Sequence, residues 1–201
     1  MENKKCFLDK LFTLLRTYGA KTLTMDDIAK EFSMSKKTLY KQYKNKEDLL
    51  YEVLEHISQE ALAEVEKVRK EFACPMEVLF ISGNRIDEVT CHEKNAFVFQ
   101  LLKYYPEVFN AHQKSISVKI IDIIKNNYGK GVELGFFRKD VPIDLYIKFL
   151  TTLLFSVDVS PLFEEEKDKK SISIAMKVFY LEAIVTEKGK KRLNELKTKY
   201  E

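Results

Sequence analysis

Apolar residues recur at three-and-four spacing along most of the chain, the periodicity of helices that bury one face. Phe7, Leu8, Leu11, Phe12 and Leu15 predict a first helix from about Lys4 to Tyr18, and Gly19 is its stop. Thr24 is a good N-cap for a second helix, Met25 to about Phe32; Asp27 completes an Asp form of the capping box and Asp26 adds negative charge to the first turn. Ser33 and Met34 leave room only for a tight connection, and Ser35 caps a third helix starting at Lys36. Two short helices joined in this way form a helix-turn-helix. Asn45 gives a third capping signal and opens a long helix that carries Leu49, Leu50, Val53, Leu54, Ile57, Leu62, Val65 and Val68 and ends before Cys74-Pro75. At about 1.5 Å per residue it would reach roughly 40 Å, far enough to link the small N-terminal module to the rest.

Beyond Pro75 the spacing predicts helices near 76–90, 93–104, 107–128, 142–157, 171–186 and 189–200. The breaks fall at Pro106, at a loop GKGVELGFFRKDVP containing Gly129, Gly131, Gly135 and Pro142, at the run FEEEKDKK after Pro161, and at Gly189. The expected fold is all-α: a three-helix helix-turn-helix domain over 1–46, joined by the long helix to a helical bundle over 47–201. Six glycines, four prolines and no tryptophan agree with an all-helical chain.

On a helical wheel of 100° per residue, Leu39 and Tyr43 share one side of the third helix and close a small core with Leu23, Ile28, Ala29 and Phe32. Lys37 and Lys41 share the opposite side, with Thr38 and Tyr40 on the flanks. Cations at the centre and hydroxyls at the edges suit a major groove, where the helix centre meets base edges and its flanks meet phosphates. Charge sharpens this picture. Residues 1–50 hold eleven Lys/Arg against seven Asp/Glu, and residues 51–201 hold twenty-three against twenty-four, so the excess lies in the first quarter. A local basic footprint predicts an acidic partner.

The run LTMDDIAKEFSMSKKTLYKQYKNKEDLL resembles the DNA-binding signature of the TetR family of bacterial regulators: a Thr-led helix with Asp-Ile-Ala, a Ser-Lys-x-Thr-Leu-Tyr recognition helix, and a Lys-x-Lys-Glu-Asp-Leu-Leu start to helix four. GVELGFFRKDVPID is similar to the Gly-rich loop before that family's eighth helix. The resemblance implies phosphate contacts by Thr38, Tyr40 and Lys46, and places Lys36, Lys37 and Lys41 toward bases or backbone. Lys37 stands where a small residue is frequent and Gln42 where His is common. With Thr24 and Ser35 at the helix starts, these residues form the expected DNA-facing set. The resemblance also implies a homodimer through the helices near 142–157 and 171–186, rich in Phe149, Leu150, Leu153, Leu154, Val157, Ile174, Met176, Val178, Phe179 and Leu181. Some of this surface is expected to be an interface, and an intramolecular core is the alternative for the same residues.

A small-molecule effector is also implied, with Phe80, Asn84, Arg85, Phe97, Gln100, Tyr104, Phe109 and Tyr128 as candidate contacts; aromatics at this spacing also suit plain packing. Cys6, Cys74 and Cys91 form no CxxC pair, and Cys91-His92-Glu93 lacks the spacing of a metal site. No catalytic constellation is recognisable, and no cofactor or metal is expected. The cysteine pattern fits a reducing cytoplasm, and charges break the apolar segments well short of the roughly 18 residues a membrane span needs, so neither export nor membrane insertion is expected. The resulting expectation is a TetR-like regulator, a repressor released from a palindromic operator by its effector. A helical DNA-binding adaptor without effector, and a helical enzyme or ligand carrier, are the alternatives.

Overall fold

The computed structural model describes residues 2–90, 96–163 and 168–200. The helices are α1 (Glu2–Tyr18), α2 (Met25–Glu31), α3 (Lys36–Gln42), α4 (Lys46–Glu71), α5 (Pro75–Thr90), α6 (Ala96–Tyr104), α7 (Pro106–Glu133), α8 (Ile143–Val159), α9 (Lys169–Ile184) and α10 (Glu187–Tyr200). A 3-10 turn at Pro161–Phe163 follows α8. Among the described residues no strand forms, and Phe137 and Val185 make an isolated antiparallel bridge. Pro75 and Pro106 each occupy the first position of a helix, where the missing N–H would have had no partner in any case. No helix of the described residues is long and apolar enough to cross a membrane.

The chain divides into two compact units, Met1–Glu60 with Glu93–Ile116, and Ala61–His92 with Ser117–Glu201. Packing draws these units differently from the functional division read at residue 46, because α6 packs against α1. Phe12 meets Phe97 edge to face, with ring centres 6.0 Å apart. Leu8, Leu11 and Leu15 of α1, Ile28 and Ala29 of α2, Leu39 of α3, Leu49, Leu50 and Val53 of α4, and Leu101 of α6 are buried in this first unit. Each large apolar side chain so buried contributes on the order of 1.5–3 kcal/mol.

In the second unit Met76 and Phe80 of α5 pack with Phe137, Val141, Leu150, Tyr180, Leu181, Ile184, Val185, Leu193 and Leu196. Val68, Val78 and Ile81 form a smaller cluster with Phe72. Glu77, buried on α5, accepts from Arg192 at 3.1 Å and Lys199 at 2.8 Å, tying α10 to that helix. The Asn127 side-chain amide donates to the Pro75 carbonyl at 2.8 Å, supplying one of the polar partners a buried amide requires.

The expected loop beginning at Gly129 is a correction. Helix α7 continues through Gly129 and Gly131 to Glu133, and the chain turns at Gly135 (φ +74°). Gly131 is small because the Phe137 ring lies against it: a Cβ there would stand 2.0 Å from Phe137 Cδ2. Tyr128 stacks on that ring, with centres 5.8 Å apart and planes at 5°. Gly129 has nothing within 4 Å of a built Cβ.

The two glycines should therefore respond oppositely to one methyl group. Gly129→Ala should stabilise the protein by about 0.5–1 kcal/mol through helix propensity. Gly131→Ala should destabilise it by about 1–3 kcal/mol through overpacking. Urea unfolding of both variants measures this, and a stabilised Gly131→Ala would refute the close-packing account.

Candidate nucleic-acid interface

The interface begins with backbone groups that caps must satisfy. Thr24 Oγ1 accepts from the Asp27 N–H at 3.1 Å, and the Asp27 carboxylate accepts from the Thr24 N–H at 2.9 Å, a reciprocal capping box. Hydrogen bonding from the Thr24 side chain, then from its backbone, lowers the Asp27 pKa. Ser33 takes φ +50° in the turn, and the Met34 N–H reaches back to the Ala29 carbonyl at 2.9 Å. Ser35 caps α3 by accepting from the Thr38 N–H at 3.0 Å, and the Ser35 and Thr38 hydroxyls lie 2.8 Å apart. Asn45 caps α4 by accepting from the Asp48 N–H at 2.8 Å.

Leu39 is fully buried and Tyr43 nearly so. Phe7 packs between Phe32 and Tyr43, at 4.5 Å and 6.4 Å between ring centres. Burial, and then the neighbouring Glu52 carboxylate, pushes the Tyr43 pKa above the ordinary tyrosine range. With these two residues turned inward, Lys37, Thr38, Tyr40, Lys41 and Gln42 are all exposed. Tyr40 keeps 48% of its surface accessible.

Two predicted lysines are engaged differently. Lys36 is ion-paired with Asp26 across the turn, and that hydrogen bond raises its pKa. The pair is exposed on both sides and weak, so a phosphate can displace it. Lys46 is half-buried: its Nζ donates to the Lys21 carbonyl at 3.4 Å and stands 5.5 Å from the centre of the Tyr105 ring. Burial lowers its pKa. Sequence reasoning missed both Asp26 and Tyr105 as partners, since neither pairing leaves a local spacing signal.

A cleft of about 740 Å³ opens beside α3, lined by Lys4, Cys6, Phe7 and Lys10 of α1, Phe32 and Met34 at the turn, Thr38, Gln42 and Tyr43, and Glu52 of α4. None of the eight effector candidates lines it. Phe97 and Phe109 are buried in the first unit, where Gln100 bonds the Lys21 backbone and Tyr104 lies under the Lys21 ammonium. Phe80 is core of the second unit, Tyr128 stacks on Phe137 and donates to the Arg138 carbonyl, and Arg85 pairs with Glu71 at 2.6 Å. The Asn84 side chain lies outside the described residues, as does Cys91-His92-Glu93. Among the described residues no group of three or more His, Cys, Asp or Glu could hold a metal.

Residues 7–53, which span α1 to the first part of α4, match the family model described as bacterial regulatory proteins, tetR family. Residues 7–53 thus carry the N-terminal segment of the TetR family. No curated protein matches it in sequence. Solved structures share its fold along nearly its whole length. The ketosteroid transcriptional regulator KstR2 of Mycobacterium tuberculosis is 20% identical, with a TM-score of 0.63, covering 90% of this chain and 94% of its own. A TetR-family regulator from Agrobacterium tumefaciens is 15% identical, with a TM-score of 0.72 and coverages of 92% and 99%. A transcriptional regulator from Saccharomonospora viridis, solved in complex with choline, is 18% identical, with a TM-score of 0.72 and coverages of 93% and 100%. The matched segment contains the capped helices α2 and α3 and the exposed α3 face.

The capping box should be worth its usual amount here. Thr24→Ala should cost about 1 kcal/mol of stability in urea unfolding at neutral pH. Because the Asp27 pKa is lowered on folding, its stabilisation is present above the ordinary carboxylate pKa and is lost as pH falls through the lowered value. Thr24→Ala should flatten that acid limb, and an unchanged limb would remove the capping box as its source.

Proposed function

We propose that this TetR-family chain is a cytoplasmic repressor that binds a roughly palindromic operator as a homodimer and leaves it when a small molecule binds. The exposed α3 face carries the reading: Lys37 and Lys41 outward with Thr38 and Tyr40 beside them, over Leu39 and Tyr43 turned in. Thr24, Ser35, Thr38, Tyr40 and Lys46 serve phosphates; Lys36, Lys37, Lys41 and Gln42 serve bases or the adjoining backbone. A lysine reaching guanine O6 and N7 would give sequence preference.

The dimer reading rests on what α8 and α9 leave uncovered. Leu150 and Leu181 are buried within the second unit, which accounts for that part of the apolar surface as core. Leu145, Phe149 and Leu154 of α8 and Phe179 of α9 remain exposed, Phe179 by 69%. Apolar side chains this large and this close in sequence favour a protein interface over solvent. Two recognition helices related by a two-fold axis match a palindrome. The effector reading is supported by the choline bound to the Saccharomonospora viridis relative; the ligand of this chain is a separate question of chemistry.

Fluorescence anisotropy against a genomic-fragment pool, at two salt concentrations, tests the DNA reading: affinity should fall steeply with salt. Salt-insensitive or absent binding would favour a ligand carrier. Lys41→Ala should change the ranking of operator variants, by about 1–3 kcal/mol at the position it reads; a uniform loss would assign it to the backbone. For the dimer, Phe149→Glu combined with Phe179→Glu should give a folded monomer in sedimentation velocity. A persistent dimer would place the interface elsewhere.

A further inference from the structure

The C-terminal end of α6 and its junction with α7 converge on turn residues of the DNA-binding module, all inside the first unit. The Gln100 Oε1 accepts from the Lys21 N–H at 2.6 Å. The chain passes directly beneath that carboxamide at Gly19 (φ +85°), where a Cβ would stand 2.2 Å from Gln100 Nε2. Lys21 Nζ sits 4.0 Å from the centre of the Tyr104 ring. The Lys21 carbonyl in turn receives Lys46 Nζ, which also stands over Tyr105. Lys21 is therefore held by its N–H, its carbonyl and its ammonium, and two of the three contacts come from Gln100 and Tyr104.

We propose that Tyr105 is a positioning residue for DNA binding: its ring, with the Lys21 carbonyl that Gln100 holds in place, fixes the Lys46 ammonium where a DNA phosphate meets it. The inference rests on the reading of Lys46 as a phosphate contact. An exposed lysine such as Lys37 or Lys41 loses its rotamer freedom when it meets DNA. Lys46 has lost much of that freedom on folding, because the face of an aromatic ring attracts an ammonium without fixing a single hydrogen-bond geometry. The same ammonium is partly desolvated, as the burial-lowered pKa of Lys46 also indicates, so less water must leave when the phosphate arrives. Phosphates are common to every sequence, so the clasp sets overall affinity and leaves base preference to α3.

The test is a double-mutant cycle on the full chain, read by anisotropy over a salt series. The probe is a mixed-sequence duplex of about 30 base pairs, enough for two half-sites one helical turn apart. Tyr105→Ala should weaken binding about threefold, the scale of an exposed ring–cation contact, while Tyr105→Phe should bind as the wild type does. Lys46→Ala should weaken binding and lower the salt slope by about one. In the Lys46→Ala background, Tyr105→Ala should cost nothing further. An equal loss in both backgrounds would make the ring merely structural, and tighter binding by Tyr105→Ala would make it a competitor; either overturns the proposal. Unchanged affinity and slope for Lys46→Ala would overturn it differently, by removing the phosphate contact itself while leaving DNA binding by α3 intact. Thermal unfolding checks each variant, and Tyr105→Leu repeats the cycle should the alanine variant fail to fold.

Discussion

A helix of seven residues cannot bury one side without committing the other, and this constraint organises the DNA-binding module. Isolated, α3 is too short to persist in water. Leu39 and Tyr43 hold it by inserting into the core made with α1 and α2, and Ser35 supplies its cap. Once those two side chains are inside, the 3.6-residue period leaves Lys37 and Lys41 no place but solvent. The exposed cationic face is thus the obligatory complement of a hydrophobic contact, and substitutions in that core would redirect the cations as well as lower stability.

Much of this was legible because it is local. Caps, the two-residue turn and the inward pair all lie within a few residues of the groups they control, so Thr24, Ser35, Asn45, Leu39 and Tyr43 are found where their spacing put them. Lys36 and Lys46 show the limit. Their charge could be placed, but Asp26 lies ten residues from Lys36, and Tyr105 is remote in sequence from Lys46. The effector candidates show a related limit. An aromatic at helical spacing announces that it will be buried without announcing which neighbour buries it, so Phe97 went to α1 and Phe80 to the core around Tyr180. The apolar surplus on α8 and α9 likewise needed the fold to divide it into Leu150 and Leu181 inside and Phe149 and Phe179 outside.

Charge acts here at two different ranges. The excess of cations in the first quarter of the chain provides a long-range attraction for any nucleic acid, with little regard to sequence. At short range the cations are sorted by what already holds them: Lys36 by a carboxylate, Lys46 by a ring and a carbonyl. Lys37 and Lys41 have neither kind of restraint among the contacts described. The least restrained cations therefore occupy the centre of α3, and the most restrained one sits at the start of α4.

Glycine can be written into a sequence for opposite reasons, and α7 contains both kinds two residues apart. At Gly129 the side chain is dispensable, whereas at Gly131 the missing atom is space that Phe137 occupies. Positions 131 and 137 are consequently not free to vary one at a time: a larger residue at the first demands a smaller one at the second. Such a replacement would in turn withdraw the ring on which Tyr128 stacks and loosen the bridge from Phe137 to Val185. Among descendants of this chain the two sites should drift as a linked pair, with Gly129 drifting independently of both.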